Sequence, residues 1–169
     1  FFGTSILHLI LLFILFVVLI VILNSSLSFN ADFIKHWSTY FRDDIVFVYN
    51  SLLYNEGLDQ HHLDHPSLFT FIIFPLFYKL FFFLGGLDFY NLSGFIESNN
   101  INLSLSKLFY ISRFAIYIFS IGIIFLIYKI ASEFFARSID AFIISFLFIF
   151  SAGFTSASNR IESGLIALF

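Results

Sequence analysis

Cysteine is absent from this chain, and its absence removes three kinds of chemistry at once. There can be no disulfide, no thiolate metal ligand and no cysteine nucleophile. Charge is also scarce, since charged residues make up 11% of the 169 positions and the formal net charge is −3. Such a chain has no broad basic surface, so we expect no nucleic-acid partner.

Hydrophobic residues are what the chain has in excess. They account for 60% of the sequence, and the mean hydropathy is +0.97. This balance lies far from that of a soluble domain and predicts an integral membrane protein in contact with membrane lipids. The chain begins without methionine and ends within the apolar run GLIALF, so we interpret residues 1–169 as the N-terminal part of a longer protein.

The apolar residues form runs long enough to cross a bilayer, which takes about 20 residues. We predict an all-α, polytopic membrane protein whose four full transmembrane helices are residues 5–23, 67–84, 108–129 and 139–157. A fifth helix is expected to begin near Gly164, and Pro75 should kink the second. Basic residues divide evenly between the two sides and therefore give no orientation.

The connection between the first two predicted spans, residues 24–66, concentrates the acidic side chains. It carries six of the eleven acids: Asp32, Asp43, Asp44, Glu56, Asp59 and Asp64. Apolar residues recur there at spacings of three or four, which predicts an amphipathic helix along the membrane surface: Phe33, Trp37, Phe41, Ile45, Val48 and Leu52. We therefore expect any chemistry to lie in this outer loop.

The adjacent carboxylates Asp43 and Asp44, in FRDDIVF, have two interpretations. They can be an ordinary solvated acidic spot, since neighbouring residues on a helix point in different directions. Alternatively, one of them is a general base, because a carboxylate partly shielded beside a bilayer can accept a proton from an attacking hydroxyl.

The sequence HHLDHPS stands directly before the second predicted span. Its histidines and Asp64 have the composition of a metal site, so a divalent metal stays open, but their spacing matches no zinc signature and we assign no metal ligand. Asp64 can instead cap the helix that Pro66 begins. The same helix N-terminus also suits a phosphate, with His65 beside it.

Arg113 lies a few residues inside the third predicted span. Its side chain can extend to the membrane interface, which is the usual behaviour of an arginine at that depth. The alternative is that it binds a phosphate group of the substrate.

Two motifs resemble a known group of enzymes. The element D-D-x-x-F at Asp43, Asp44 and Phe47 is similar to the D-E-x-x-F element of the protein O-mannosyltransferases. The element L-D-H-P-S-L, residues 63–68, is similar to their D-x-H-P-P-L element. Together they resemble the GT-C superfamily of membrane glycosyltransferases, which includes protein mannosyltransferases and aminoarabinose transferases. The chain departs from the pattern at Asp44, where glutamate is usual, and at Ser67, where a second proline is usual.

The resemblance implies transfer of a sugar from a polyprenyl-phosphate donor to a protein, lipid or glycan acceptor on the non-cytoplasmic face. It implies Asp43 as the catalytic acid, Asp44 beside it and a cytoplasmic N-terminus. We therefore take four residues as candidates for substrate binding: Asp44, Asp64, His65 and Arg113. We expect the bacterial plasma membrane with the active face outward, and the identities of sugar and acceptor stay open.

Two other classes of protein compete with this interpretation. A transporter places ionisable residues at mid-membrane on broken helices, whereas the acids of this chain are concentrated in its first loop, which counts against transport. A non-catalytic polytopic membrane protein needs no catalytic acid at all.

Overall fold

The computed structural model describes residues 2–28, 42–61 and 68–159, and within these ranges the regular structure is α-helical. Side chains at positions 2–5, 23–28, 42–44, 68, 69, 156, 157 and 159 lie outside this description. The described helices are α1 (Phe2–Ser28), α2 (Arg42–Glu56), α3 (Leu68–Phe83), α4 (Leu92–Ile96), α5 (Ile101–Phe134), α6 (Ser138–Ile149) and α7 (Ala152–Asn159).

The all-α prediction is confirmed for the described residues, with differences at several helix ends. Segment 5–23 lies within α1, and 67–84 matches α3 to one residue at each end. Segment 108–129 is the middle of α5, which extends to 34 residues. Segment 139–157 is divided between α6 and α7, and Gly164 lies outside the described residues. Of the predicted amphipathic loop helix, α2 is described; Phe33, Trp37 and Phe41 lie outside.

Among the described helices, α5 is the one that is long and apolar enough to cross a bilayer. Shorter apolar helices occur at Ile6–Ile22, Thr70–Phe83 and Ser138–Ile149. Length and composition alone do not separate a membrane span from the core helix of a soluble protein. The four predicted crossings therefore stay a prediction.

Glycine ends both α2 and α3 by the same mechanism. At the end of α2 the backbone of Gly57 has φ 78°, and Leu58 N–H donates to the carbonyl of Leu53 at 3.0 Å. Gly85, with φ 75°, ends α3 in the same way. Glycine adopts the left-handed backbone conformation more readily than other residues do. After the last helical turn this conformation ends the helix and reverses the direction of the chain.

The buried apolar side chains that are described form two clusters along α5. The first joins the first half of α5 to α2, α3 and the α3–α4 connection. Its members are Phe47, Val48, Leu52, Phe71, Phe74, Tyr78, Leu87, Phe89, Leu108, Phe109, Ile111, Ala115 and Ile116. The second joins α1, the second half of α5, α6 and α7. Its members are Leu12, Phe16, Ile123, Ile124, Tyr128, Ala131, Ala141, Ile149 and Phe154.

Helices α1 and α6 run in the same direction. His8, early in α1, contacts Phe142, early in α6, with ring centroids 5.1 Å apart. Phe16, about two turns later in α1, contacts Phe154, which follows α6, with centroids 5.9 Å apart. Four consecutive crossings would instead orient the first and fourth helices in opposite directions. The parallel orientation of α1 and α6 is thus not the one that four consecutive crossings would give.

Candidate functional site

Helix α2 packs against α3, which begins at Leu68, the last residue of the second motif. The ring of Phe47, the aromatic residue of D-D-x-x-F, contacts the ring of Phe71, with centroids 5.7 Å apart. Phe71 lies three residues after Leu68, the last residue of the second motif. Both rings are buried in the first cluster. This contact places α2, which follows the acidic pair, beside α3, which begins at the end of the second motif.

The proposed catalytic residue Asp43 and its neighbour Asp44 lie near the described start of α2. Their side chains are outside the described part of the structure. One turn later, Phe47 and Val48 are both buried.

The other loop candidates are only partly described. Asp64 and His65, together with His62, lie outside the described residues. His61 is described: its backbone N–H donates to Asn50 Oδ1 at 2.8 Å, and its ring stacks on Tyr49, with centroids 6.1 Å apart and an interplanar angle of 9°. These contacts position the start of the histidine-rich segment against the middle of α2.

Two polar groups that sequence reasoning missed lie on these helices. Asn50 and Thr70 are both fully buried, and Asn50 Nδ2 and Thr70 Oγ1 have no hydrogen-bond partner in the described structure. The His61 N–H fixes Asn50 Oδ1 as the acceptor, so the unpaired atom of that amide is a donor. Buried polar atoms nearly always have a hydrogen-bond partner, so these two unpaired atoms are unusual. The available signal was a polar residue within a mostly apolar stretch, Asn50 in IVFVYNSLL and Thr70 in LFTFIIF.

Arg113 is half-buried on α5, and its Nε atom is buried without a partner in the described structure. Its neighbours in sequence face α3. Ser112 Oγ and the Tyr78 hydroxyl are hydrogen-bonded at 2.6 Å, and Phe114 contacts Phe77 with centroids 6.3 Å apart. Tyr78 lies seven residues beyond Phe71, about 10 Å along the helix axis. Arg113 is therefore level with the second half of α3, while Phe47 contacts the first half of α3.

Glu56, at the end of α2, connects that helix to α4. Its carboxylate accepts hydrogen bonds from the Ser93 hydroxyl and from the Ser93 backbone N–H, the latter at 3.2 Å. Both hydrogen bonds stabilise the ionised carboxylate, the bond from the hydroxyl more than the bond from the backbone N–H. They lower the pKa of Glu56 below its ordinary value of 4.5. The contact thus favours an ionised Glu56.

Metal ligands do not gather within the described residues. No group of three or more histidine, cysteine, aspartate or glutamate side chains there could hold a metal ion. Most of the histidine-rich segment lies outside those residues, and its metal-binding alternative stays a prediction.

No protein-family model matches this chain, and no match was found among curated proteins or solved structures. The resemblance to the GT-C superfamily therefore depends on the two motifs themselves.

Proposed function

We propose that this chain forms the N-terminal part of an inverting membrane glycosyltransferase that uses a polyprenyl-phosphate sugar donor. The acceptor is a protein, lipid or glycan. The proposal includes insertion in the bacterial plasma membrane, with the reaction on the outward face and a cytoplasmic N-terminus. Segments 5–23, 108–129 and 139–157 are its proposed crossings, and segment 67–84 corresponds to α3.

The ring contact between Phe47 and Phe71 is the observation that supports this proposal best. Two motifs that resemble one enzyme family are expected to serve one site, so the helices that carry them should pack together. Helices α2 and α3 meet this expectation. The unpaired atoms Asn50 Nδ2 and Thr70 Oγ1 add hydrogen-bonding groups at the same pair of helices.

The proposed chemistry is a single displacement at the anomeric carbon. Asp43 accepts the proton of the acceptor hydroxyl as that oxygen bonds to the anomeric carbon. The bond between this carbon and the phosphate oxygen breaks, and the electron pair leaves with the polyprenyl phosphate. Inversion follows from the single displacement. Asp44, Asp64, His65 and Arg113 are the proposed substrate-binding residues, with His65 and Arg113 suited to the phosphate charge.

Substitution of the acidic pair tests the enzyme assignment. The full-length protein is purified in detergent, and release of polyprenyl phosphate from polyprenyl-phosphate mannose and from polyprenyl-phosphate aminoarabinose is measured. Asp43→Asn should reduce turnover about 10²- to 10⁴-fold, the range that general base catalysis contributes. Asp59→Asn is the matched control, because Asp59 is an exposed acid in the same loop.

Unchanged turnover in both Asp43→Asn and Asp44→Asn would overturn the assignment. A loss of turnover in Asp44→Asn alone would identify Asp44, and not Asp43, as the general base. Equal losses in Asp59→Asn would show that the effect is not specific to the pair.

A further inference from the structure

The two chain segments that flank α3 touch each other. Before α3, the Asn55 side chain donates from Nδ2 to the Tyr90 carbonyl, which follows α3, at 2.8 Å. Next to it, the Glu56 carboxylate accepts from Ser93. A helix that crosses about 30 Å of hydrocarbon separates its flanking segments by about that distance. These contacts place the end of α2 and the segment after α3 at one level along α3, as expected if α3 does not separate them by a bilayer.

The flanks meet beside the middle of α3. Asn55 Nδ2 also lies 3.2 Å from the carbonyl of Pro75, and Pro75 is central in the 16-residue helix. Glu56, one residue after Asn55, is partly exposed, and its carboxylate accepts two hydrogen bonds from Ser93. A charged group at the centre of a bilayer is costly, so the level of Pro75 must be close to water. The axis of α3 therefore does not have its midpoint at the bilayer centre.

The direction of the other helices gives an independent argument. The contacts of His8 with Phe142 and of Phe16 with Phe154 make α1 parallel to α6. Helix α5 joins α6 through residues 135–137 and packs against it, so α5 runs the opposite way. If α1, α5 and α6 all cross, the chain between α1 and α5 must begin and end on the same face. A crossing by α3 alone is incompatible with this arrangement.

The outer surface of α3 is apolar along one stripe. Ile72, Leu76, Leu80 and Phe83 follow one another at spacings of four, four and three, and their side chains are between 37% and 81% exposed. The other faces of α3 pack against α2, α5 and the segment that contains Tyr90. A stripe of this kind, parallel to the helix axis, fits a helix that lies in the plane of a membrane.

We propose that α3 lies in the plane of one leaflet, with its exposed stripe against lipid acyl chains, and does not cross the membrane. The inference rests on the membrane location of the proposed function but not on its reaction. It departs from the crossing that the GT-C resemblance implies for this helix. As a consequence, the acidic segment before α3 and the segment that carries Asp88 and Glu97 after it share one face.

Single-cysteine labelling tests this topology, because residues 1–169 contain no cysteine; any cysteine in the rest of the full-length protein is first replaced by serine. Three exposed positions are used: Asp59→Cys before α3, Asn99→Cys between α4 and α5, and Ala136→Cys between α5 and α6. Intact cells that express the full-length protein are treated with a membrane-impermeant maleimide. Labelling of each variant in detergent measures its full reactivity.

The proposal expects Asp59→Cys and Asn99→Cys to label from the same side and Ala136→Cys to label only after permeabilisation, or the converse if the orientation is reversed. Labelling of Asp59→Cys and Asn99→Cys from opposite sides would make α3 a crossing helix and overturn the proposal. Labelling of all three from one side would also overturn it, because α5 would then not cross. Neither result depends on glycosyltransferase activity, so a failure here and a failure of the Asp43 experiment are distinguishable.

Discussion

Thr70 and Tyr78 lie on the same helix and are both fully buried, but their hydroxyl groups differ in hydrogen bonding. The Tyr78 hydroxyl is hydrogen-bonded to Ser112 Oγ at 2.6 Å, whereas Thr70 Oγ1 has no partner in the described structure. A buried polar group without a hydrogen bond loses its hydration and gains nothing in return. The same functional group should therefore have opposite effects on stability at these two positions.

Thr70→Val should stabilise the folded protein. The substitution keeps the shape of the side chain and removes the unpaired hydroxyl, so the free energy of unfolding should rise by about 1 kcal/mol. Ser112→Ala is the contrasting variant, since it leaves the Tyr78 hydroxyl buried and unpaired and should lower that free energy by about 1 to 3 kcal/mol. Thermal unfolding in detergent measures both. A Thr70→Val protein that is less stable than the parent would mean that this hydroxyl has a partner.

Sequence reasoning could identify some residues at this scale and not others. Asp43 and Asp44 stand out because adjacent acids are conspicuous in a chain with so few charges. Thr70 does not stand out, because whether a hydroxyl is paired depends on neighbours that only the fold supplies. The Tyr78–Ser112 pair joins two helices across 34 positions, and no local pattern of the sequence predicts it.

At the scale of elements, the end of α2 is held by its two last residues. Asn55 donates to the Tyr90 carbonyl at 2.8 Å, and the Glu56 carboxylate accepts from Ser93 at the start of α4. Gly57 then ends the helix in a left-handed conformation. Three consecutive residues thus fix where α2 ends and which segment it contacts, and one of them, Glu56, is titratable.

The contact between α2 and α4 should weaken in acid. Hydrogen bonds from Ser93 lower the pKa of Glu56 below 4.5 in the folded protein, so the unfolded state binds more protons near that pH and stability rises with pH there. The contribution is complete above the ordinary glutamate pKa and is lost as pH falls through the lowered one. The unfolding midpoint of Glu56→Gln should therefore depend less on pH in this range than that of the parent. Glu97→Gln, an exposed acid of the same connection, is the control; identical profiles for parent and Glu56→Gln would contradict the contact.

Helix positions were more predictable than helix ends. Apolar runs locate α1, α3 and the middle of α5, because apolar length is a direct property of sequence. The seven residues by which α5 begins before the predicted span are mixed in polarity, and the helix starts there because the Asn100 side chain accepts a hydrogen bond from Leu103 N–H at 3.1 Å. A hydropathy pattern detects the apolar part of such a helix and not its capped polar extension.

At the scale of the whole molecule, α5 is the element that both hydrophobic clusters share. Its 34 residues correspond to about 51 Å, well beyond the 30 Å of a bilayer core. The first half packs with α2 and α3, and the second half packs with α1 and α6. The sequence predicted the helices that take part but not this division, because the order of helices along α5 depends on contacts between residues more than a hundred positions apart.

The two clusters should respond separately to a substitution on α5. Tyr128 lies in the second cluster, and its hydroxyl is hydrogen-bonded to His8 Nδ1 on α1 at 3.2 Å. Tyr128→Phe removes this bond and keeps the ring, so local stability should fall by about 1 kcal/mol, roughly a fivefold rise in the open population. Hydrogen exchange followed by mass spectrometry should show faster exchange in α1 and α6 and unchanged exchange in α2 and α3.

Tyr110→Phe is the matched control for this experiment, because Tyr110 is exposed on the first half of the same helix. It should leave exchange in both clusters at the parent level. Faster exchange spread equally over α1, α2, α3 and α6 in Tyr128→Phe would mean that the clusters open as one cooperative unit. Helix α5 would then transmit a disturbance at the His8 contact along its length to the motif-bearing helices, and the separation of the molecule into two parts would be wrong.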